Sequence, residues 1–296
     1  MGNKGTKASK EEESRTTKNY DCSKAKAEGA LLLNMLKFQD KIMGRLSKYE
    51  LENLPNSICI MGERGSGKTS LIEWFVSRFP NAVFAEDIEV TSDLVMSATM
   101  AVTPTFYHID IKKTTEKNQN MLLKLLEEPP KMVYLILEAE SKFQLLPTIL
   151  NRVQVFELSQ YSEHQLREFL TIDTTIDISA CKTPGEVLSL SSGDNNTLPI
   201  FTRSILSNIK KASYGSILNI PKRFADFDKD GKYSFSLFTR LLLKYSATYL
   251  SSGSSDNFRI FDTVHEFVGN CNIPNIDKQK LLENFLFALK EVMNNA

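Results

Sequence analysis

The fold is decided by one stretch of sequence, Gly62-Glu63-Arg64-Gly65-Ser66-Gly67-Lys68-Thr69. An apolar run at residues 58–61 leads directly into it, and a helical pattern follows over residues 68–79, up to Pro80. The spacing G-x-x-x-x-G-K-[ST] between a strand and a helix is typical of a P-loop. In such a loop the backbone N–H groups and the helix N-terminus surround phosphates, and the lysine reaches the outer ones. The sequence therefore predicts a phosphate site after the first strand.

Apolar runs alternate with helical patterns through the first half of the chain. Strands are also predicted at residues 82–85, 105–109, 133–137 and 153–156. One helix is predicted before the first strand, at 31–55, and others between strands, as at 120–126. This alternation indicates a parallel sheet with helices on both faces. From Ser162 only helices are predicted, at residues 164–170, 200–209, 236–250, 257–268 and 277–293. The expected fold class is α/β, followed by an all-α region.

Composition limits the possible functions. The chain has 296 residues, 42% of them hydrophobic, with 36 Lys and Arg against 36 Asp and Glu. Zero net charge argues against coating of nucleic acid by bulk electrostatics, so any DNA contact must be local. The spacing of the cysteines and histidines is not that of metal ligands; they stand at Cys22, Cys59, Cys181, Cys271, His108, His164 and His265. Because no apolar run is long enough for a membrane span or signal peptide, we expect a cytoplasmic protein with reduced thiols.

A magnesium nucleotide needs a second strand that ends in an acid, and the run at residues 106–110 supplies Asp110. Asp110 and Thr69 are therefore the predicted Mg²⁺ ligands, although Asp110 could also be a strand-end turn residue. The predicted ATP-binding residues are Gly62, Gly65, Gly67, Lys68, Thr69, Ser70 and Asp110. Where hydrolysing P-loop proteins usually carry Glu, this chain has Ile111, which cannot accept a proton. We expect slow hydrolysis even where ATP binds.

Two segments carry a resemblance to a known family. Residues 120–130, NMLLKLLEEPP, resemble the N-A-L-L-K-x-L-E-E-P-P segment of bacterial clamp-loader subunits, and residues 146–153, LPTILNRV, are similar to their L-P-T-I-L-S-R-C stretch. The resemblance implies an AAA+ base, a small helical lid and a helical collar that joins five subunits around primer-template DNA. The expected parts are a flexible polar tail at 1–30, the base at 31–160, the lid at 161–205 and the collar at 206–296.

The same resemblance implies roles for single residues. Arg152 aligns with the arginine of S-R-C, which projects into a neighbour's ATP site as an arginine finger; a surface arginine in an ordinary salt bridge is the alternative. The strand that normally ends in Thr or Asn against the terminal phosphate carries Glu138, which would repel phosphate. The lid turn at residues 193–196, GDNN, lacks the usual arginine. A chain that has lost these hydrolytic residues but retains the finger arginine resembles the delta-prime subunit of DNA polymerase III.

A delta-prime-like subunit would bind ATP and Mg²⁺ weakly or without turnover. It would form a hetero-pentamer with gamma/tau and delta subunits, and its further partners would be a sliding clamp and primer-template DNA. One rival is a self-sufficient, DNA-stimulated ATPase of the gamma/tau type, in which Glu138 or Glu140 replaces the lost base. Another is a scaffold whose P-loop no longer binds nucleotide.

Two further patterns have alternative interpretations. Lys112, Lys113 and Lys117 follow the second P-loop strand where relatives contact the DNA backbone, although three lysines also suit a solvated face. Residues 226–231, DFDKDG, match the first half of a calcium loop, but Leu237 stands where that loop needs Glu. We therefore expect a polar turn there.

Overall fold

The structure is a computed structural model that describes residues 34–170, 176–191, 198–228, 235–250, 255–271, 273 and 276–295. It divides into two units, Met1–Gln160 and Tyr161–Ala296. The polar tail, the lid turn at 193–196 and the second half of the calcium-like pattern lie outside the described residues.

A five-stranded parallel sheet forms the centre of the first unit. Its strands are β1 Ser57–Met61, β2 Val83–Ala85, β3 Thr105–Asp110, β4 Val133–Ala139 and β5 Gln154–Glu157, in the order β2-β3-β4-β1-β5. All five strands were predicted from their apolar runs. Because β4 lies between β1 and β3, Glu138 is in register with Ile60 on one side and Asp110 on the other. The P-loop and both acids therefore share the carboxyl edge of the sheet.

Helices cover both faces of this sheet. They are α1 Asp40–Leu46, α2 Lys68–Val76, α3 Ser92–Thr99, α4 Glu116–Glu127 and α5 Pro147–Leu150, with 3₁₀ turns at Ile111–Lys113 and Lys142–Gln144. Alternate residues of β1 enter different cores: Ile58 and Ile60 pack with Phe75 and Phe106, whereas Cys59 packs in the cluster on the other face. The predicted α/β class is confirmed, with apolar layers on both sides.

Several helix ends differ from the sequence prediction; for example, the helix predicted at residues 164–170 ends at Arg167. The helix expected to end near Pro55 ends at Leu46, and turns follow at residues 47–48 and 51–53. The helix after the P-loop ends at Val76 rather than at residue 79. In addition, α3 was not predicted; the hydroxyl of Thr91 caps it by accepting a hydrogen bond from Leu94 N at 3.2 Å.

The regular elements among the described residues of the second unit are all helices. These are α6 Glu163–Arg167, α7 Pro184–Ser191, α8 Leu198–Asn208, α9 Tyr214–Asp228, α10 Phe235–Leu250, α11 Ser255–Asn270 and α12 Lys278–Asn294. The capping box predicted at Ser162 and Gln165 is present at the start of α6. The prediction missed α9, which contains Pro221. Among the described helices, none combines the length and the apolar character needed to span a membrane.

Candidate functional site

The loop between β1 and α2 has a backbone that only glycine fits comfortably. Gly67 has φ of 96°, in the left-handed region, and a Cβ there would lie 3.2 Å from the carbonyl oxygen of Met35. A Cβ on Gly62 would lie 2.8 Å from Ser66 Oγ. Gly65 also has a positive φ, 79°. The close turn is that of a P-loop, with Ser70 in the first turn of the following helix.

The two P-loop side chains that would engage nucleotide both contact Glu138. Lys68 is 6% exposed; its Nζ donates to the carbonyl oxygen of Glu63 at 3.1 Å and lies 3.6 Å from Glu138 Oε1. The hydroxyl of Thr69 donates to Glu138 Oε2 at 3.2 Å. Both oxygens of one carboxylate are therefore directed at the P-loop.

Glu138 is held as an anion by its surroundings. Its side chain is 15% exposed, and Oε2 lies 3.1 Å from His108 Nε2. Burial alone would raise the pKa of this carboxyl, but the hydrogen bond with His108, the charge of Lys68 and the hydroxyl of Thr69 together hold the pKa below its ordinary value. Burial, with a smaller contribution from the charge of Glu138, raises the pKa of the neighbouring Cys59 thiol to about 12.

His108 is a member of this cluster that the sequence did not reveal. It lies two residues before Asp110 on β3, and its ring stacks on Phe84 with 6.4 Å between centroids. Among the described residues its buried Nδ1 has no hydrogen-bond partner. The only sequence signal was the spacing of two from Asp110, which places both side chains on one face of the strand.

Asp110 and Ile111 are arranged differently from a hydrolytic pair. Asp110 Oδ1 accepts a hydrogen bond from Lys112 N at 3.0 Å, which caps the 3₁₀ turn, and Oδ2 lies 3.9 Å from Lys113 Nζ. Ile111 is 2% exposed and belongs to the apolar cluster. Within the described part of the chain, no group of three or more His, Cys, Asp or Glu could hold a metal ion. The Mg²⁺ roles of Thr69 and Asp110 stay predictions.

The loop and its surroundings differ in their fit to nucleotide. The backbone turn fits a phosphate group, because Gly65 and Gly67 have the positive φ values of a loop whose N–H groups can surround an anion. The carboxylate of Glu138 does not fit, since it already contacts Lys68 and Thr69. As arranged, these side chains do not suit a terminal phosphate with its Mg²⁺.

Arg152 lies just beyond α5, in an exposed position. Its Nη1 donates to the carbonyl oxygen of Thr148 at 2.8 Å, and Nη2 lies 2.8 Å from Glu127 Oε1, with the two side chains 35% and 52% exposed. Glu127 belongs to the segment 120–130 and Arg152 to the segment 146–153, so the two stretches that carry the family resemblance meet here. The finger role itself stays a prediction.

The three lysines proposed for DNA are all exposed, and two of them pair with acids. Lys112 Nζ lies 3.2 Å from Glu140 Oε1, and Lys113 Nζ lies 2.5 Å from Asp87 Oδ2. Lys117 lies in the first turn of α4.

The strand order β2-β3-β4-β1-β5, the P-loop after β1 and the acid at the end of β3 define a P-loop α/β fold. Residues 85–162 match the family described as DNA polymerase III, delta subunit. The DNA polymerase III subunit delta' of Haemophilus influenzae is 39% identical over 66 residues, which are 22% of this chain and 20% of that protein. The chain thus aligns with about a fifth of the length of this curated relative.

Two solved structures are also similar. A DNA polymerase III gamma subunit-related protein of Thermotoga maritima has a TM-score of 0.45 at 17% identity, over 86% of this chain and 99% of that one. The DNA clamp loader delta protein of Bacillus subtilis has a TM-score of 0.30 at 15% identity, over 85% and 99%. The family match over residues 85–162 and the delta' relative confirm the resemblance to delta-type subunits of DNA polymerase III.

Proposed function

We propose that this chain is a delta-prime-like subunit of a cytoplasmic sliding-clamp loader, which donates Arg152 to ATP bound by a neighbouring subunit and hydrolyses little or no ATP itself. The observation that carries the proposal is the contrast between an exposed Arg152 guanidinium and a P-loop whose Lys68 already contacts a carboxylate. The expected neighbours are gamma/tau and delta subunits in a hetero-pentamer that acts on a sliding clamp and primer-template DNA.

The contacts of Arg152 suit a group that acts in trans. A guanidinium has five N–H donors, and the contacts to Thr148 and Glu127 use only its two terminal nitrogens. An exposed ion pair contributes about 0 to 1 kcal/mol, so Glu127 can be exchanged for a phosphate at little cost. Thr148 continues to orient the side chain during that exchange. A guanidinium so placed stabilises the charge that builds on a transferring phosphoryl group.

The chain's own site supports a non-hydrolysing role. Ile111 offers no base, and Glu138, one of the two acids that could replace it, is engaged by Lys68 and Thr69. The other, Glu140, pairs with Lys112. Neither arrangement favours the gamma/tau-type motor. For DNA, exposed lysines such as Lys117 could exchange solvent or acids for backbone phosphates.

The test is DNA-stimulated ATP hydrolysis by the assembled loader. Arg152→Ala is expected to slow hydrolysis at each site it serves by about 10³-fold, in line with other arginine fingers. Native mass measurement should show the same assembly as with the wild-type chain. Arg152→Lys should also be slow, because an ammonium cannot form the forked pair.

Arg167→Ala is the matched control, because Arg167 is also an exposed arginine in a surface ion pair, 2.7 Å from Glu163. It should leave the rate unchanged. An unchanged rate of ATP hydrolysis for Arg152→Ala would show that Arg152 is not an arginine finger. DNA-stimulated hydrolysis by the isolated chain, abolished by Lys68→Ala, would instead support the gamma/tau-type motor.

A further inference from the structure

We propose that Glu138 is an internal ligand of the P-loop: its carboxylate occupies Lys68 and Thr69 in place of a nucleotide phosphate, so the loop keeps its phosphate-binding form while excluding nucleotide. The inference concerns this chain's own P-loop and does not depend on Arg152 acting in a neighbour.

The position of Glu138 follows from the strand order. It is the last residue but one of β4, and β4 lies between β1, which leads into the P-loop, and β3, which carries His108. The side chain therefore emerges at the carboxyl edge beside the loop. No other strand neighbours both β1 and β3.

The contacts resemble those of a bound anion. Oε1 lies 3.6 Å from Lys68 Nζ, and Oε2 accepts a hydrogen bond from Thr69 Oγ1 at 3.2 Å. A phosphate needs the same two groups, one as a cationic partner and the other as a ligand of its metal ion. A carboxylate supplies two acceptor oxygens and a negative charge, so it satisfies both groups without a ligand.

His108 fixes the carboxylate from the sheet side. Its Nε2 lies 3.1 Å from Glu138 Oε2, its side chain is 5% exposed, and its ring packs against Phe84. Three residues on two elements, β3 and the start of α2, thus hold one carboxylate that is 15% exposed. A largely buried ion with several partners is costly to displace, because its partners would lose their charge compensation.

This arrangement differs in its consequences from simple repulsion. If Glu138 only repelled phosphate across an open site, removing its charge would favour nucleotide and leave the free chain as stable or more stable. If Glu138 is an internal ligand, the same change should favour nucleotide and also weaken the free chain, because Lys68 loses its buried partner. Binding and stability should therefore change in opposite directions.

The experiment compares the full chain with Glu138→Gln, Glu138→Thr and Glu140→Gln. Equilibrium binding of labelled ATP with Mg²⁺ gives the affinity, and thermal unfolding without nucleotide gives the stability. We expect no saturable binding by the wild-type chain at millimolar ATP. Affinity should rise on the order of a hundredfold in both Glu138 variants, because a like charge beside the phosphate is gone. Both variants should unfold at a lower temperature.

Glu140→Gln is the matched control. Glu140 lies two residues after Glu138 and carries the same charge, but it pairs with Lys112 at the surface. The substitution should change neither property. Adding Lys68→Ala to Glu138→Thr should abolish the gained binding. Tight binding by the wild-type chain, no gain in either Glu138 variant, or a gain without loss of stability would each overturn the proposal. Glu138→Gln nearly keeps the side chain's size, so it serves if Glu138→Thr does not fold.

Discussion

Lys68 and Arg152 are both cations suited to phosphate, yet their surroundings in the first unit are opposite. Lys68 is 6% exposed and its partner Glu138 is 15% exposed. Arg152 is 35% exposed and its partner Glu127 is 52% exposed. Both cations pair with a glutamate, so the difference lies in the solvent around each pair.

That difference decides which cation is available to another molecule. An exposed pair contributes about 0 to 1 kcal/mol, because water competes with it. Breaking a buried pair costs about 3 to 5 kcal/mol, because the remaining charge stays out of water. Lys68 is therefore the more costly cation to detach from its partner and Arg152 the less costly one, which agrees with the proposed role of Arg152 in a neighbouring subunit's site.

The largest effect is expected when the missing base is restored at the buried end of the sheet with Ile111→Glu. We expect the free energy of unfolding to fall by about 3 to 5 kcal/mol, because a carboxylate would enter an apolar cluster at a position that is 2% exposed. Urea denaturation of the isolated chain measures the loss. Ile111→Leu, which keeps volume and polarity, should cost less than about 1.5 kcal/mol.

A folded Ile111→Glu variant that hydrolyses ATP alone would contradict the contrast. It would mean that nucleotide can already bind at the P-loop of the wild-type chain, and that the chain lacks only a catalytic base.

Much of the fold could be predicted because parallel strands are buried on both faces and appear as continuous apolar runs. The run at residues 133–137, for example, falls within β4. The helices α3 and α9 could not be predicted in the same way. In α3 four of the eight residues are Ser, Thr or Asp, and α9 includes Pro221, which usually ends a helix.

The candidate site was only partly predictable for a different reason. The motif identified Lys68 and Thr69, and the resemblance identified Arg152. The contact of Glu138 with Lys68 depends on β4 lying beside β1 although more than 70 residues separate them in sequence. His108 could be related to Glu138 only after β3 and β4 were known to be neighbours. Sequence periodicity gives the face of a strand, not the strand's neighbours.

Removing Lys68 or Arg152 from the isolated chain compares the stability that each ion pair contributes. Lys68→Met should lower the free energy of unfolding by about 2 to 4 kcal/mol, because Glu138 keeps His108 and Thr69 but loses its cationic partner. Arg152→Ala should lower it by no more than about 1 kcal/mol. Chemical denaturation of both variants under the same buffer gives the comparison.

The order should reverse when ATP hydrolysis by the assembled loader is measured, with Arg152→Ala the more damaging. Equal losses of stability for the two variants would show that the pairs do not differ in burial as described.

The smallest expected effect concerns the loop backbone in the absence of nucleotide. If Glu138 holds the P-loop in place, Gly67→Ala should cost about 1 to 2 kcal/mol in the isolated chain, because an L residue at φ of 96° is strained and its Cβ would meet the carbonyl oxygen of Met35 at 3.2 Å. Gly44→Ala is the control, since Gly44 lies within α1 and a Cβ there meets nothing within 4 Å. That substitution should raise stability by up to about 1 kcal/mol. A Gly67→Ala chain that unfolds at the wild-type urea concentration would mean that the loop is not fixed without nucleotide, and Lys68 would then be no less available than Arg152.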